Sequence, residues 1–492
     1  MALVNILIVL FGLIATSLSC QLSSVCDDQC AALEANITTL EKSLVSTYRL
    51  QYHVQPPVGW MNDPNGFIYY KGNYHIFYQY NPLSPEGAGK KHWGHSTSPD
   101  LVNWNTQTTA LIPGEEQCFS GSAVILDTTL VLVYTGRVDF ANETYQESQY
   151  LAFSDDGIHF HKYASNPVLR TRNESPDFRD PKVWRHEDFW YVIIGSKTTE
   201  GKGSVLLYRS PDLINWTFLN VLAESTNITA SAYMWECPDF FELNGKYVIM
   251  MSPQGMNASG DRYKNLYQTG YILGSFSYDT YEFVPEVDFQ EIDYGHDFYA
   301  TQSIEKDGKR LFIAWFGMWE TTFPEKTDGW AGALTIFREL ELRGNRILMK
   351  PVEQITSLRM NGAFYNATLA KNNLVDLEQT AEIFVTTDWA SAVNLKLSGR
   401  TDGGQSISLK WDVATKKVIV ERGEDIRQVE WTPSASSQWR IFLDTSSVEL
   451  FCGDGEVVFS SRAYPLGGWK VTNAEADIPN VLIYKLNKSV PT

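Results

Sequence analysis

One short pattern returns four times in the first three hundred residues and limits what this chain can fold into. Ser98-Pro99-Asp100-Leu101-Val102-Asn103-Trp104 recurs as Ser210-Pro211-Asp212-Leu213-Ile214-Asn215-Trp216. Looser copies run from Ser154 to Phe160 and from Ser277 to Phe283. The starts at 98, 154, 210 and 277 are spaced by 56, 56 and 67 residues. Each copy follows a strand-like run, such as Tyr150–Phe153 or Val205–Tyr208. The pattern suits a hairpin turn whose Asp binds the local backbone, followed by an aromatic residue that packs on the outer strand. Trp104 and Trp216 therefore read as structural. Repeated β units of this length point to four-stranded propeller blades. A fifth hairpin without the pattern fits Leu334–Phe337 to Arg346–Met349. The chain is expected to be all-β, with a five-bladed β-propeller over 48–350. Blades of roughly sixty residues exceed the usual blade repeat, so the surplus should form loops on the functional face.

The remainder divides around that region. Residues 1–19 are almost wholly apolar and end in small residues, as in a signal peptide cleaved before Cys20. Residues 20–47 read as an N-terminal segment with a short helix. Residues 351–363, with Pro351 and Gly362, read as a linker. Residues 364–492 hold alternating strands, among them 381–385, 393–397, 406–411, 418–421, 439–443, 448–451, 457–459 and 481–484. This second domain is expected to be a β-sandwich that supports the propeller through a buried interface.

A net charge of −18 repels phosphate backbones and gives no attraction to anionic lipid. Nucleic acid is excluded as a partner, and no membrane role is expected once the signal is removed. Fifteen Trp, 25 Tyr and 25 Phe stand out; many belong to the core, but aromatic faces also suit the apolar C–H faces of sugars. Eight Asn-x-Ser/Thr sequons, at Asn36, Asn142, Asn173, Asn215, Asn227, Asn257, Asn366 and Asn487, agree with a secreted, extracellular glycoprotein. Cys26 could bridge to Cys30 or to another chain. Cys118, Cys237 and Cys452 lack metal-ligand spacing and read as buried thiols.

Three acidic motifs occupy similar positions ahead of the repeat. Asp63, in Trp60-Met61-Asn62-Asp63-Pro64-Asn65-Gly66, precedes Ser98 by 35 residues. Asp180, in Phe178-Arg179-Asp180-Pro181, precedes Ser210 by 30, and Glu236, in Trp235-Glu236-Cys237-Pro238, precedes Ser277 by 41. Pro64 stiffens the backbone at Asp63, and Asn65-Gly66 reads as a turn before a strand at 67–70. The first strand of each blade lines the propeller axis, so these acids should meet in one funnel. Two carboxylates across a glycosidic bond are the equipment for its hydrolysis, one as nucleophile or base and one as proton donor. Mutual repulsion and partial burial would raise the donor's pKa. Beside Arg179, Asp180 should stay ionised and grip sugar hydroxyls.

These three motifs, in this order, resemble the signatures of family-32 glycoside hydrolases, the invertases (β-fructofuranosidases) and fructan hydrolases. The resemblance runs from about residue 48 to 487 and implies the propeller and sandwich already expected. It implies that Asp63 is the nucleophile forming a fructosyl-enzyme intermediate, that Glu236 is the acid/base, and that Asp180 stabilises the transition state. Arg179 matches the arginine paired with Asp180. Trp60, Met61, Asn62, Gln79, Trp93, Phe119 and Ser120 match substrate-pocket positions, as do Tyr299 and Trp315 more loosely. The expected substrate is sucrose or a related β-fructoside, cleaved with retention and without a metal or organic cofactor. Pro238 is the variant found in sucrose-cleaving members. A fructan hydrolase or fructosyltransferase on the same fold, or a non-catalytic carbohydrate-binding propeller, are the alternatives.

Overall fold

The computed structural model describes residues 29–171, 175–225, 229, 231–434 and 437–489. The signal peptide, Cys20, Cys26 with its expected bridge to Cys30, Asn173 and Asn227 lie outside the described residues, whereas Cys30 itself is described. Five antiparallel sheets follow one another along the chain. Blade 1 is built from Gly59–Tyr70, Asn73–Asn81, His92–Ser98 and Asn105–Thr106. Blade 2 begins with Gln117–Leu126, blade 3 with Phe178–His186, blade 4 with Met234–Leu243 and blade 5 with Tyr299–Lys306. The short strand Trp330–Ala331 pairs in parallel with Gly59–Trp60 and so joins the fifth blade to the first.

The repeated pattern is the turn between the third and fourth strands of blades 1 to 4. In blade 1 the Asp100 carboxylate accepts hydrogen bonds from the amides of Val102 and Asn103 at 3.0 and 2.8 Å. Asp212 accepts the same pair from Ile214 and Asn215 at the same distances. Leu101 and Leu213 both stand at φ 68°, a left-handed conformation that the Asp bonds hold in place. Trp104 stacks on Phe337 at 4.9 Å, and the Trp216 indole donates to Leu213 O at 2.8 Å, so both are structural.

Two local expectations are corrected. Asn65-Gly66 is no turn, because Gly59–Tyr70 is one continuous strand with breaks in register after Met61 and Asn65. Gly66, at φ 53°, passes so close to Phe77 that an added Cβ would sit 2.7 Å from its ring. The fifth hairpin lies later than expected, at Arg338–Arg343 and Arg346–Pro351, while Leu334 forms an isolated bridge with Trp315.

The second domain packs two six-stranded sheets around a shared apolar core. The connection over 351–363 is docked rather than free, with a 3₁₀ turn at Glu353–Leu358 that buries Ile355 and Leu358. The sandwich meets the propeller through buried polar groups. Arg338 bridges Asp293 and Glu449 at 3.1 and 2.6 Å, and Asp293 also accepts from Ser460 at 2.7 Å. The N-terminal helix, over 29–41, buries Leu33 and Ile37 against blade 1.

Candidate active site

Each first strand carries a break in register where it reaches the axis. The breaks fall between Met61 and Pro64, Cys118 and Gly121, Arg179 and Lys182, Glu236 and Asp239, and Tyr299 and Thr301. A bulge bends a strand and re-aims its side chains. Asp180, Cys237 and Ala300 take φ values of 64°, 47° and 48°, a region that non-glycine residues occupy at a cost. Asp180 and Cys237 each precede a proline, which ordinarily favours extended backbone. The same device, used once per blade, turns one or two residues inward.

Those residues converge. The Asp63 carboxylate accepts hydrogen bonds from Asn62 at 3.0 Å, Ser120 at 2.7 Å and Gln79 at 3.2 Å. Trp60 orients Asn62 through its indole N–H at 2.9 Å, and Gln79 also donates to Ser120 at 2.6 Å. The Asp180 carboxylate accepts the Cys237 amide at 2.9 Å. The Cys237 Sγ lies 3.8 Å from Asp63 Oδ2 and 3.7 Å from Asp180 Oδ2, so two acids from blades 1 and 3 flank one thiol of blade 4. Glu236 is held by Arg179 Nε at 2.8 Å and by the Tyr299 hydroxyl at 2.6 Å. A hydroxyl can donate or accept, so the Tyr299 contact suits either protonation state of Glu236.

Electrostatics follow from this crowding. Burial and the nearby Glu236 raise the Asp63 pKa, opposed by bonds from Asn62 and Ser120 and by the charge of Lys91. Burial, Glu236 and Asp63 push the Asp180 carboxyl well up, against the pull of Arg179. The expectation that Arg179 keeps Asp180 ionised is therefore corrected. The guanidinium bonds Glu147 at 3.2 Å, Asp177 at 2.9 Å and Glu236, leaving Asp180 between two other acids. Closely spaced carboxyl groups cannot all ionise without strong repulsion. Burial and the three acids likewise hold the Cys237 thiol protonated.

Not every expected pocket residue faces the hollow. Met61 is fully buried in the apolar core of blade 1, because strand alternation sends it away from Trp60 and Asn62. Trp93 is fully buried between blades 1 and 2 and donates its indole N–H to Phe119 O at 2.9 Å. It supports the pocket from behind. Phe119 is half-buried, with the Arg137 guanidinium 5.4 Å from its ring. Trp60, Trp315 and Phe323 form an aromatic wall, with Trp60–Phe323 centroids 4.9 Å apart, and exposed Trp319 extends it outward.

Four participants are not among the expected site residues. Glu147 is wholly buried behind Arg179. Lys91 is nearly buried, donates to Gly87 O at 2.5 Å, and has its pKa lowered by burial to about 8. Cys237 could have been found from its place beside Glu236. Asp177, two residues before Arg179, is within reach only because the strand begins there. Among the described residues, no group of three or more His, Cys, Asp or Glu could hold a metal ion.

The glycosyl hydrolases family 32 N-terminal domain matches residues 53–351, and the family 32 C-terminal domain matches residues 350–477. A sucrose-6-phosphate hydrolase of Zymomonas mobilis is 40% identical over 460 residues, covering 86% of this chain and 88% of its own. A raffinose invertase of Escherichia coli is 40% identical over 435 residues, covering 84% and 89%. The structure of the Bombyx mori GH32 β-fructofuranosidase BmSUC1 superposes with a TM-score of 0.91 at 50% identity, covering 95% of this chain and all of that one. A D63A mutant of that Bombyx mori enzyme has been determined in complex with sucrose. With family matches over both domains and these relatives spanning most of its length, the chain belongs to glycoside hydrolase family 32 and is an invertase-type enzyme.

Proposed function

We propose that this enzyme is a secreted, retaining β-fructofuranosidase that hydrolyses sucrose to glucose and fructose. The observation that supports it most is the meeting of three acids from blades 1, 3 and 4 around Cys237, with each in a different setting. Asp63, oriented by three donors, attacks the anomeric carbon of the fructosyl unit. Glu236 gives its proton to the glycosidic oxygen, and glucose leaves. Glu236 then takes a proton from water, whose oxygen displaces Asp63 and restores the free carboxylate. Asp180 holds fructose hydroxyls beside the reacting carbon. Two carboxyl groups balance every proton in this cycle.

The choice of unphosphorylated sucrose is supported by the cations nearest the acids. Arg179 is already paired with Glu147, Asp177 and Glu236. Lys91 is spent on Gly87 O and faces Asp63. Both are compensated, which suits a neutral disaccharide better than a phosphate dianion. A second reading, cleavage of sucrose-6-phosphate at the same glycosidic bond, is favoured by the relatives named sucrose-6-phosphate hydrolase. Secretion rests on the apolar leader and on exposed sequons such as Asn142 and Asn257.

Turnover of sucrose, sucrose-6-phosphate, raffinose and inulin, with product analysis, tests the assignment. Sucrose should give the highest kcat/KM and free fructose as product. A clear preference for the phosphorylated sugar, or accumulation of longer oligomers, would replace this reading with a glycosidase acting on sucrose-6-phosphate or a fructosyltransferase. Initial release of the β-anomer of fructose tests retention.

A further inference from the structure

We propose that Arg462 of the β-sandwich is a positioning residue for the catalytic pocket, acting through Glu325 on the aromatic wall. Arg462 ends the strand Val457–Arg462 and is almost fully buried. Its Nη2 lies 3.1 Å from Glu325 Oε1, while its Nε donates to Ser446 O at 2.9 Å and its Nη2 to Ser446 Oγ at 3.0 Å. The guanidinium lies 5.8 Å from the Phe316 ring and 6.0 Å from the Trp330 ring, both on the propeller. Its own amide donates to Asp297 Oδ2 at 2.8 Å. The side chain is thus fixed by both domains.

Glu325 has no exposure and sits in the 3₁₀ turn Pro324–Asp328. Asp328, at the end of the turn, accepts the amides of Val45 and Tyr48 at 3.1 and 2.9 Å, while the start of the turn borders the pocket wall. Phe323, just before it, packs edge-on against Trp60 and stacks on Trp315. Lys326 lies over the Trp60 ring at 5.4 Å and binds Glu86 of the facing rim loop at 2.6 Å. Trp330–Ala331, just after it, pairs with Gly59–Trp60, three residues before Asp63. The Gly332 amide donates to Glu325 Oε1 at 3.4 Å. Gly332 is pressed so tightly that an added Cβ would lie 2.0 Å from Met61 O. One buried ion pair therefore connects the second domain to the strand that carries Asp63. Another buried interface pair, Arg338 with Glu449, forms no hydrogen bond to these wall residues.

Removing one partner of a buried pair leaves the other charge uncompensated, and the turn must shift to rehydrate it. A displaced wall weakens ground state and transition state alike, so KM should rise while kcat holds. The inference rests on the sucrose-hydrolysing reading for its substrate, and wild-type turnover of sucrose tests that reading separately. With wild-type activity in hand, the full-length variants Arg462→Met, Arg462→Lys, Glu325→Gln and the double Arg462→Met/Glu325→Gln are compared by steady-state kinetics and melting temperature. Arg462→Met should raise the sucrose KM about fivefold or more with kcat within about threefold, and Arg462→Lys should recover part of the loss. The double variant should lose no more kcat/KM than the worse single, because both remove one interaction. A wild-type KM in a folded Arg462→Met protein, or a fall in kcat alone, overturns the proposal, as do additive losses in the double. If Arg462→Met does not fold, the near-isosteric Glu325→Gln decides, and an unchanged KM there overturns the proposal.

Discussion

Asp63 accepts hydrogen bonds from three side chains on two blades, which fixes its carboxylate before any substrate arrives. Replacing it with Asn keeps the size and removes the nucleophile. In Asp63→Asn, kcat should fall by roughly 10⁴-fold or more while sucrose still binds, as isothermal titration would show. Near-normal turnover would mean that another group attacks. Lys91 offers a second test. Its charge lowers the Asp63 pKa against burial and Glu236, which raise it. In Lys91→Met that help is gone, and Asp63 needs a higher pH to ionise. The acid limb of the kcat/KM profile should move to higher pH. An unmoved limb would mean that Asp63 does not feel this cation. The acids were legible because each sits in a distinctive motif beside proline. Lys91 and Glu147 were not, since a lone charge in the sequence has no address until the fold brings it to the pocket. Arg179 was misread for a related reason: adjacency in sequence to Asp180 says nothing about where a long side chain turns on a bulged strand.

At the scale of the element, the Asp-based turn and the inward bulge divide the labour. The turn recurs in four blades far from the axis, and its Asp is a local device. Asp212 is partly buried, which works against its charge, yet bonds from Asn215, Ile214 and Ser210 pull its pKa below the usual range. Asp212→Ala removes those bonds from a left-handed turn. It should cost about 1 kcal/mol and lower the melting temperature by roughly 1–3 °C, with kcat and KM unchanged. Calorimetry alongside sucrose assays checks this, and an altered KM would tie the turn to the pocket. The turns were readable because Asp, Ser and Asn act through local chemistry. The bulges were not, because register is a property of two paired strands. For the same reason Leu466–Asn473 of the sandwich escaped notice. Gly467 and Gly468 mask its strand character, and it forms only by pairing with Leu374–Glu378 and Val393–Thr401.

Across the whole molecule, the interface between the domains combines apolar packing around Phe442, Phe451 and Val458 with buried charges whose balance depends on pH. His53 of the N-terminal arm is enclosed, with Nδ1 2.8 Å from Asp444 and Nε2 2.9 Å from Glu449. Burial disfavours its charge, but hydrogen bonds to Asp444 and Glu449 raise its pKa. Its stabilising contribution is then complete below the unfolded value of about 6.5 and is lost as pH climbs through the folded value. Glu449 behaves oppositely. Burial opposes its charge, but His53 and Arg338 lower its pKa, so its contribution is lost as pH falls through the folded value. The cluster should hold the domains together best between about pH 5 and 6.5. His75 and His92 set the acid side elsewhere, since burial lowers both to about 4 and keeps them neutral. Unfolding exposes them to protons, so stability from these two is complete above about pH 6.5 and declines towards pH 4. His53→Gln separates the two effects. It leaves the acid decline of His75 and His92 in place. Relative to wild type it should lower the melting temperature most near pH 5.5–6.5, and the gap should narrow at higher pH as the wild type loses its own proton. A gap that widens with rising pH would mean that His53 is buried neutral and that the two carboxylates share their protons without it.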